Sequence, residues 1–110
     1  MELSITFRHV PPSDALKQCV MERLERLERY VRLIGPVHAV LDVEKHEHSA
    51  ELIVPLEGHV LVARAVRADL YEAIDAAAHK ALEQARRHRS RLVDHREKEG
   101  QALKAQHAVA

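Results

Sequence analysis

Apolar and polar residues alternate at the start of the chain, with Leu3, Ile5 and Phe7 as the apolar set. A period of two predicts a strand with one buried face. The two prolines at 11–12 end this strand, because proline interrupts both strand pairing and helix interiors.

Apolar residues then recur at helical spacing, which predicts a first helix. Ser13 is a good N-cap for it, and Asp14 suits the first turn. We expect the helix to run to Ile34, where Gly35-Pro36 gives a strong stop signal. Its apolar face is formed by Leu16, Val20, Leu24, Leu27, Val31 and Ile34.

Three further strands are predicted after this helix. They are separated by a loop around His46–His48 and by a hairpin turn at Glu57-Gly58. Their expected ranges are Val37 to Lys45, Ala50 to Leu56 and Val60 to Val66. The last strand would turn Leu61, Ala63 and Ala65 towards the core, and Val60, Val62, Arg64 and Val66 to the other face.

A second helix is predicted from Asp69 to Leu92, and its character changes along its length. Asp69 is expected to cap it. The first half has an apolar stripe of Leu70, Tyr71, Ile74, Ala78, Leu82 and Ala85, which we expect to pack in the core. The second half carries Arg86, Arg87, His88, Arg89 and Arg91.

The element order β-α-β-β-β-α predicts an α+β fold. It is a two-layer sandwich in which a four-stranded mixed sheet carries both helices on one face. The first two strands, joined through a helix, should be parallel, and the rest should follow as an antiparallel meander. The second sheet face would stay open and partly apolar.

The cationic helix end is a local asymmetry, because the whole chain has 17 basic and 17 acidic residues. Such a cluster on a neutral domain suggests a polyanion, most often nucleic acid. The simpler interpretation is that helix C-termini prefer cations because of the helix dipole. That preference explains two or three basic residues well, but it explains five within six positions poorly. Only 3% of residues are aromatic, so contacts to phosphate and shape are expected in place of base stacking.

Length and composition limit the remaining possibilities. The 110 residues fit one domain, expected at 1–97, followed by a disordered tail at 98–110. The single cysteine, Cys19, excludes an internal disulfide and is expected to be a small buried thiol. The N-terminus lacks the features of a signal peptide and no apolar run is long enough to span a membrane, so we expect a cytoplasmic protein without membrane association.

Catalysis and metal binding are poorly supported. The chain has three glycines, no glycine-rich phosphate loop and no nucleophile motif. His46-Glu47-His48 places two imidazoles on one side of an extended segment, which is half of a zinc site at most. We therefore expect no enzyme, no metal and no cofactor.

Several segments carry a resemblance to a known family. They are ELSIT, VMERLERLERY, VLDVEKHEH and, most specifically, DLYEAID and KALEQARRHRSRL. The chain resembles the short ribosome hibernation-promoting factors, the group that includes ribosome-associated inhibitor A (protein Y). The resemblance implies binding to the small ribosomal subunit, in the channel of mRNA and of A- and P-site tRNA. It also implies inhibition of translation in idle ribosomes, which stay single or need a separate pairing factor.

The resemblance also supplies candidate rRNA-binding residues. The matching cations are Arg23, Arg26, Lys45, Lys80, Arg87, Arg89 and Arg91, with His88 also in place. Lys80, Arg87 and Arg91 form one line along the helix by their spacing. Arg86 belongs to the same charge cluster, and Arg64 on the open sheet face and Arg8 are weaker additions. Glu83 departs from the family pattern and could weaken binding or pair with Arg87.

A second class of function remains open from the residues alone. The valine-bearing open face could make this chain a protein-interaction module, for example a homodimer, with the basic helix incidental. Salt-sensitive cosedimentation with ribosomes would favour the first class, and RNA-independent self-association the second. The nine histidines could also strengthen anion binding below about pH 6.5.

Overall fold

The computed structural model describes residues 1–88 and has the predicted element order. A second helix, α2, comes last in the chain order and covers residues 70–88. The others are β1 (Leu3–Arg8), α1 (Asp14–Leu27), β2 (Val37–Glu44), β3 (Glu47–Leu56) and β4 (His59–Arg67).

The four strands form one sheet in the order β1-β2-β3-β4. β1 and β2 are parallel, with Ile5 opposite Ala39, and the other two pairs are antiparallel. This confirms the predicted α+β sandwich. The β2–β3 turn lies at one end of the strands, which we call the Lys45 end of the sheet. The β3–β4 turn lies at the opposite end, which we call the Gly58 end.

Both helices run from the Lys45 end to the Gly58 end. α1 follows β1, whose last residue, Arg8, pairs with Asp42 near the Lys45 end. After α1, Leu33 forms a bridge with Leu56 at the Gly58 end. α2 follows β4 in the same way, and its His88 ring stacks on the His59 ring at the Gly58 end. The two helices therefore lie side by side in the same direction.

The core lies between the sheet and this helix layer. Alternate residues of strands β2, β3 and β4 are buried, including Leu41, Leu52 and Leu61. α1 contributes leucines and a valine, whereas α2 buries mostly alanine: Leu70, Ala73, Ile74, Ala77, Ala81 and Ala85. Small side chains at i, i+4 spacing let the α2 backbone approach the sheet closely.

The predicted apolar stripe of α2 was therefore partly wrong. The buried line passes through Ala73, Ala77 and Ala81, so Ala78 and Leu82 are only half-buried at its side. Tyr71 is 49% exposed and does not pack in the core. The smaller alanines occupy the face next to the sheet, and the Tyr71 ring therefore lies on the exposed side of the helix.

The end of α1 also differs from the prediction. The helix ends at Leu27, and a turn follows in which Tyr30 N–H donates to Leu27 O. Ile34 N–H donates to Pro55 O at 3.1 Å, and the Ile34 side chain is 58% exposed. The sheet thus satisfies backbone groups that a longer helix would have paired internally.

Other local predictions have mixed outcomes. Ser13 Oγ accepts from Leu16 N–H at 3.3 Å, and Asp69 Oδ1 accepts from Glu72 N–H at 2.9 Å, so both N-caps are confirmed. β3 begins at Glu47, which places His48 in the strand and leaves a tight turn with Lys45 at φ 57°. The Cys19 thiol is only half-buried, and this burial raises its pKa.

Candidate nucleic-acid interface

The predicted site residues fall into separate regions of the fold. Arg23, Arg26, Arg86 and Arg87 lie on or between the two helices, whereas Lys45 lies at the opposite end of the sheet from α2 residues 86–88. Arg64 lies on the open sheet face, opposite Glu51 in the strand register. Arg89 and Arg91 lie outside the described residues.

A cleft of about 180 Å³ runs between α1 and α2. Two of the predicted cations, Arg23 and Arg26, line its α1 side. Its other lining residues are Leu27, Asp75, Ala78, His79 and Leu82. The cleft is thus apolar at its base and cationic at its rim, with Asp75 as its one carboxylate.

Arg23 is held across this cleft by Asp75. Its Nε donates a hydrogen bond to Asp75 Oδ1, and this bond raises the pKa of the Arg23 guanidinium. Asp75 thus faces a basic neighbour on the other helix. The identity of that neighbour depends on how the two helices pack, which residue spacing within one helix does not reveal.

Arg86 connects α2 to the turn after α1. Its guanidinium carbon lies 5.0 Å from the centre of the Tyr30 ring, and its Nη2 donates to Tyr30 Oη at 3.4 Å. The hydrogen bond from Arg86, together with its charge, lowers the pKa of the Tyr30 phenol. Tyr30 was not among the predicted site residues, although it orients Arg86, which was among them.

Arg87 projects from α2 with its side chain 69% exposed. Glu83, one turn earlier, lies 3.9 Å from Arg87 Nη2 and 3.5 Å from His79 Nε2. The predicted local pairing of Glu83 with Arg87 is confirmed. Exposed i, i+4 pairs are worth about 0.3–0.5 kcal/mol, so Glu83 competes only weakly with a phosphate for Arg87.

Lys80 contacts the backbone of the edge strand. Its Nζ donates to Arg64 O at 2.9 Å, and Gln84 Nε2, one turn later, donates to Val62 O at 3.1 Å. Another turn on, the His88 ring stacks on His59 with centroids 5.1 Å apart. This line of α2 side chains covers the free edge of β4, which protects it from pairing with another chain.

Two kinds of feature are missing from the part of the chain that the structure describes. Between residues 1 and 88, no three His, Cys, Asp or Glu side chains are grouped as metal ligands. No helix in the same range combines the length and apolar character of a membrane span.

Comparison with known proteins identifies a family for this arrangement. Residues 3–93 match the family described as Sigma 54 modulation protein / S30EA ribosomal protein. A ribosome hibernation promoting factor of Salmonella typhimurium is 35% identical over 95 residues, which cover 86% of this chain and 100% of that protein. One from Pseudomonas putida is 33% identical over 91 residues, covering 83% of this chain and 89% of that protein.

Solved structures agree with the fold. The N-terminal domain of Thermus thermophilus Protein Y matches with a TM-score of 0.72 and 30% identity, covering 79% of this chain and 98% of that domain. A ribosomal subunit interface protein from Coxiella burnetii also has a TM-score of 0.72, at 22% identity, covering 82% of this chain and 99% of that one. The family match spans most of the chain, and the sequence resemblance is thereby confirmed. The chain belongs to the Sigma 54 modulation protein / S30EA ribosomal protein family.

Proposed function

We propose that this chain is a ribosome hibernation factor, a non-enzymatic protein that binds the small ribosomal subunit in the mRNA and A- and P-site tRNA channel. By occupying that channel it inhibits translation in idle ribosomes. The observation that carries the proposal is full-length similarity to relatives named ribosome hibernation promoting factor, at 35% identity over all of the Salmonella protein. A protein bound to ribosomes in this way acts in the cytoplasm.

The cations of the helix layer support binding to RNA. Arg23 is held by Asp75 and Arg86 by Tyr30, while Arg87 projects from α2 with its side chain 69% exposed. Arginine binds phosphate with two parallel N–H donors. Such contacts position a protein on RNA without reading its sequence, and the fit to the channel would then supply the selectivity.

Cosedimentation with vacant small subunits tests this proposal. We expect saturable binding near one copy per subunit, suppressed by mRNA with initiator tRNA, and falling steeply with salt because phosphate contacts release counterions. Replacing Arg87 and Arg91 by Glu should abolish binding while the domain stays folded. No binding of the wild-type protein at low salt, or binding unaffected by mRNA and tRNA, would contradict the proposed channel.

The fate of the bound ribosomes needs a separate measurement. Sucrose-gradient profiles with the purified protein show whether ribosomes stay single or pair. We expect single ribosomes with this chain alone, because the resemblance is to short members that pair ribosomes only with a separate factor. Pairing by the purified chain alone would contradict that expectation.

A second candidate function follows from the open sheet face. Val60 and Val62 of β4 are 57% and 49% exposed there. An apolar face of this kind is a candidate for self-association of the free protein. Sedimentation of RNA-free protein at increasing concentration tests it: a homodimer that Val62→Asp dissociates would support this function, and a monomer at all concentrations would exclude it.

A further inference from the structure

The contact between Arg23 and Asp75 joins α1 and α2 across the cleft. These residues are 52 positions apart, and theirs is the one ion pair between α1 and α2 within residues 1–88. Their side chains are 27% and 56% exposed. Ion pairs with this degree of exposure contribute little to folding stability, so stability alone does not account for the arrangement.

The geometry of the contact leaves Arg23 able to bind a second anion. Asp75 accepts from Nε, the nitrogen nearest the side-chain stem. A guanidinium has five N–H groups, and a carboxylate at its Nε side leaves the outer edge, formed by Nη1 and Nη2, with two parallel donors. That edge can bind two oxygens of a phosphate in a bidentate manner. Asp75 therefore fixes the orientation of Arg23 without occupying its phosphate-binding edge.

The surroundings of Arg23 suit a single phosphate group. Arg26 and His79 line the same cleft as Arg23, beside the apolar side chains of Leu27 and Leu82. Charges act more strongly on an anion beside such low-polarity surfaces than in open solvent.

We propose that Asp75 is a positioning residue that orients Arg23 to bind a backbone phosphate of ribosomal RNA in the cleft between α1 and α2, an inference that rests on the proposed function. Asp75 itself touches no RNA. It acts by ordering the Arg23 side chain before binding, so that the complex does not have to supply that order.

Two effects of Asp75 on binding have opposite signs, which makes the inference testable. Its negative charge repels phosphate, and removal of that charge alone would tighten binding. Its hydrogen bond orders Arg23, and loss of that order would weaken binding. The ordering of one long side chain corresponds to about a two- to tenfold change in Kd. The Asp75 carboxylate is 56% exposed and already paired with the Arg23 guanidinium, which weakens its repulsion of a phosphate, so we expect the ordering effect to dominate.

The experiment measures Kd for vacant small subunits with the full chain and its variants. Asp75→Ala should weaken binding about two- to tenfold. Asp75→Asn should weaken it less, because the amide oxygen still accepts from Arg23 Nε. In an Arg23→Ala background, Asp75→Ala should cause no further loss, since the effect passes through Arg23.

Glu83→Gln is the matched control. It removes the same charge from the same helix, but Glu83 lies beside Arg87 and His79 at 3.9 and 3.5 Å without such an orienting bond. We expect this variant to tighten binding. Opposite signs for Asp75→Ala and Glu83→Gln separate positioning from overall charge, and matching unfolding midpoints exclude loss of fold as the cause.

A second measurement tests the contact without ribosomes. In the free protein, the Nε–H proton of Arg23 should exchange with water more slowly in the wild type than in Asp75→Ala, which has no acceptor for it, as seen by NMR. Equal exchange rates would overturn the inference, as would tighter binding by Asp75→Ala or an undiminished loss in the Arg23→Ala background. Failure of the wild type to bind subunits would instead overturn the proposed function, and the inference with it.

Discussion

His9 shows how one side chain fastens a loop to the sheet. It lies just after β1 in the left-handed backbone region, at φ 56°, which His, Asn and Asp adopt more readily than most residues. Its Nδ1 lies 2.8 Å from Asp42 Oδ1 on β2. The hydrogen bond and the charge of Asp42 raise the pKa of His9 above 6.5, and Glu44 adds to this while Arg8 opposes it.

This contact predicts a stability that depends on pH. Because the folded pKa of His9 exceeds the unfolded value of 6.5, its contribution is complete below that pH and is lost as the pH rises through the folded pKa. We expect His9→Asn to lower the unfolding temperature more at about pH 5.5 than at about pH 8.5. Asn also tolerates a positive φ, so the difference between the two pH values reports the loss of the imidazole and not backbone strain.

His46 in the β2–β3 turn provides the control for that experiment. Among the residues that the structure describes it forms no ion pair, so His46→Asn removes an imidazole without breaking a carboxylate contact. Thermal unfolding at constant ionic strength measures both variants. An equal effect of His9→Asn at the two pH values would contradict the role of the Asp42 contact.

Roles of single residues were predictable from sequence where they depend on near neighbours. Ser13, Asp69 and the Glu83–Arg87 pair act over three or four positions, so their spacing alone indicated them. Tyr71 and the partner of Asp75 were not predictable in this way. Both depend on the rotation of α2 against the sheet and α1, which only the packed structure determines.

The alanine line of α2 sets how closely this element approaches the sheet. Ala73, Ala77 and Ala81 are fully buried against the strands. We expect Ala77→Val to destabilise the fold by about 1–3 kcal/mol, because added methyl groups have no space at a well-packed contact. Ala76→Val is the matched control. Because Ala76 is half-buried, we expect this variant to lose less stability than Ala77→Val. Urea unfolding measures both, and equal small losses would mean that the helix can shift to accommodate the larger side chain.

The elements themselves were largely predictable, but their ends were not. Alternation and helical spacing indicated all four strands and both helices correctly. Val31 and Ile34 continue the helical spacing of α1 beyond its true end, while the chain there pairs with β3 through Leu33 and Ile34. A contact with a strand more than twenty positions away overrides the local pattern, and the prediction from helical spacing therefore extended α1 too far.

The whole molecule separates the candidate cations along its length. Lys45 lies at one end of the sheet, and Arg87 lies on α2 towards the Gly58 end. The rigid sandwich between them fixes their separation. If both bind the small subunit in one complex, as proposed, the ribosomal RNA must contact both ends of the domain.

This separation predicts additive effects on binding. We expect Lys45→Glu and Arg87→Glu each to weaken binding to the small subunit, by about 1–3 kcal/mol, and their double variant to lose the sum, because distant sites without shared partners act independently. Titrations with vacant subunits at one fixed salt concentration measure the three losses. Full affinity of Lys45→Glu would restrict the interface to the helix layer and the Gly58 end. A double variant no weaker than the worse single variant would mean that the two cations serve alternative bound orientations instead of one.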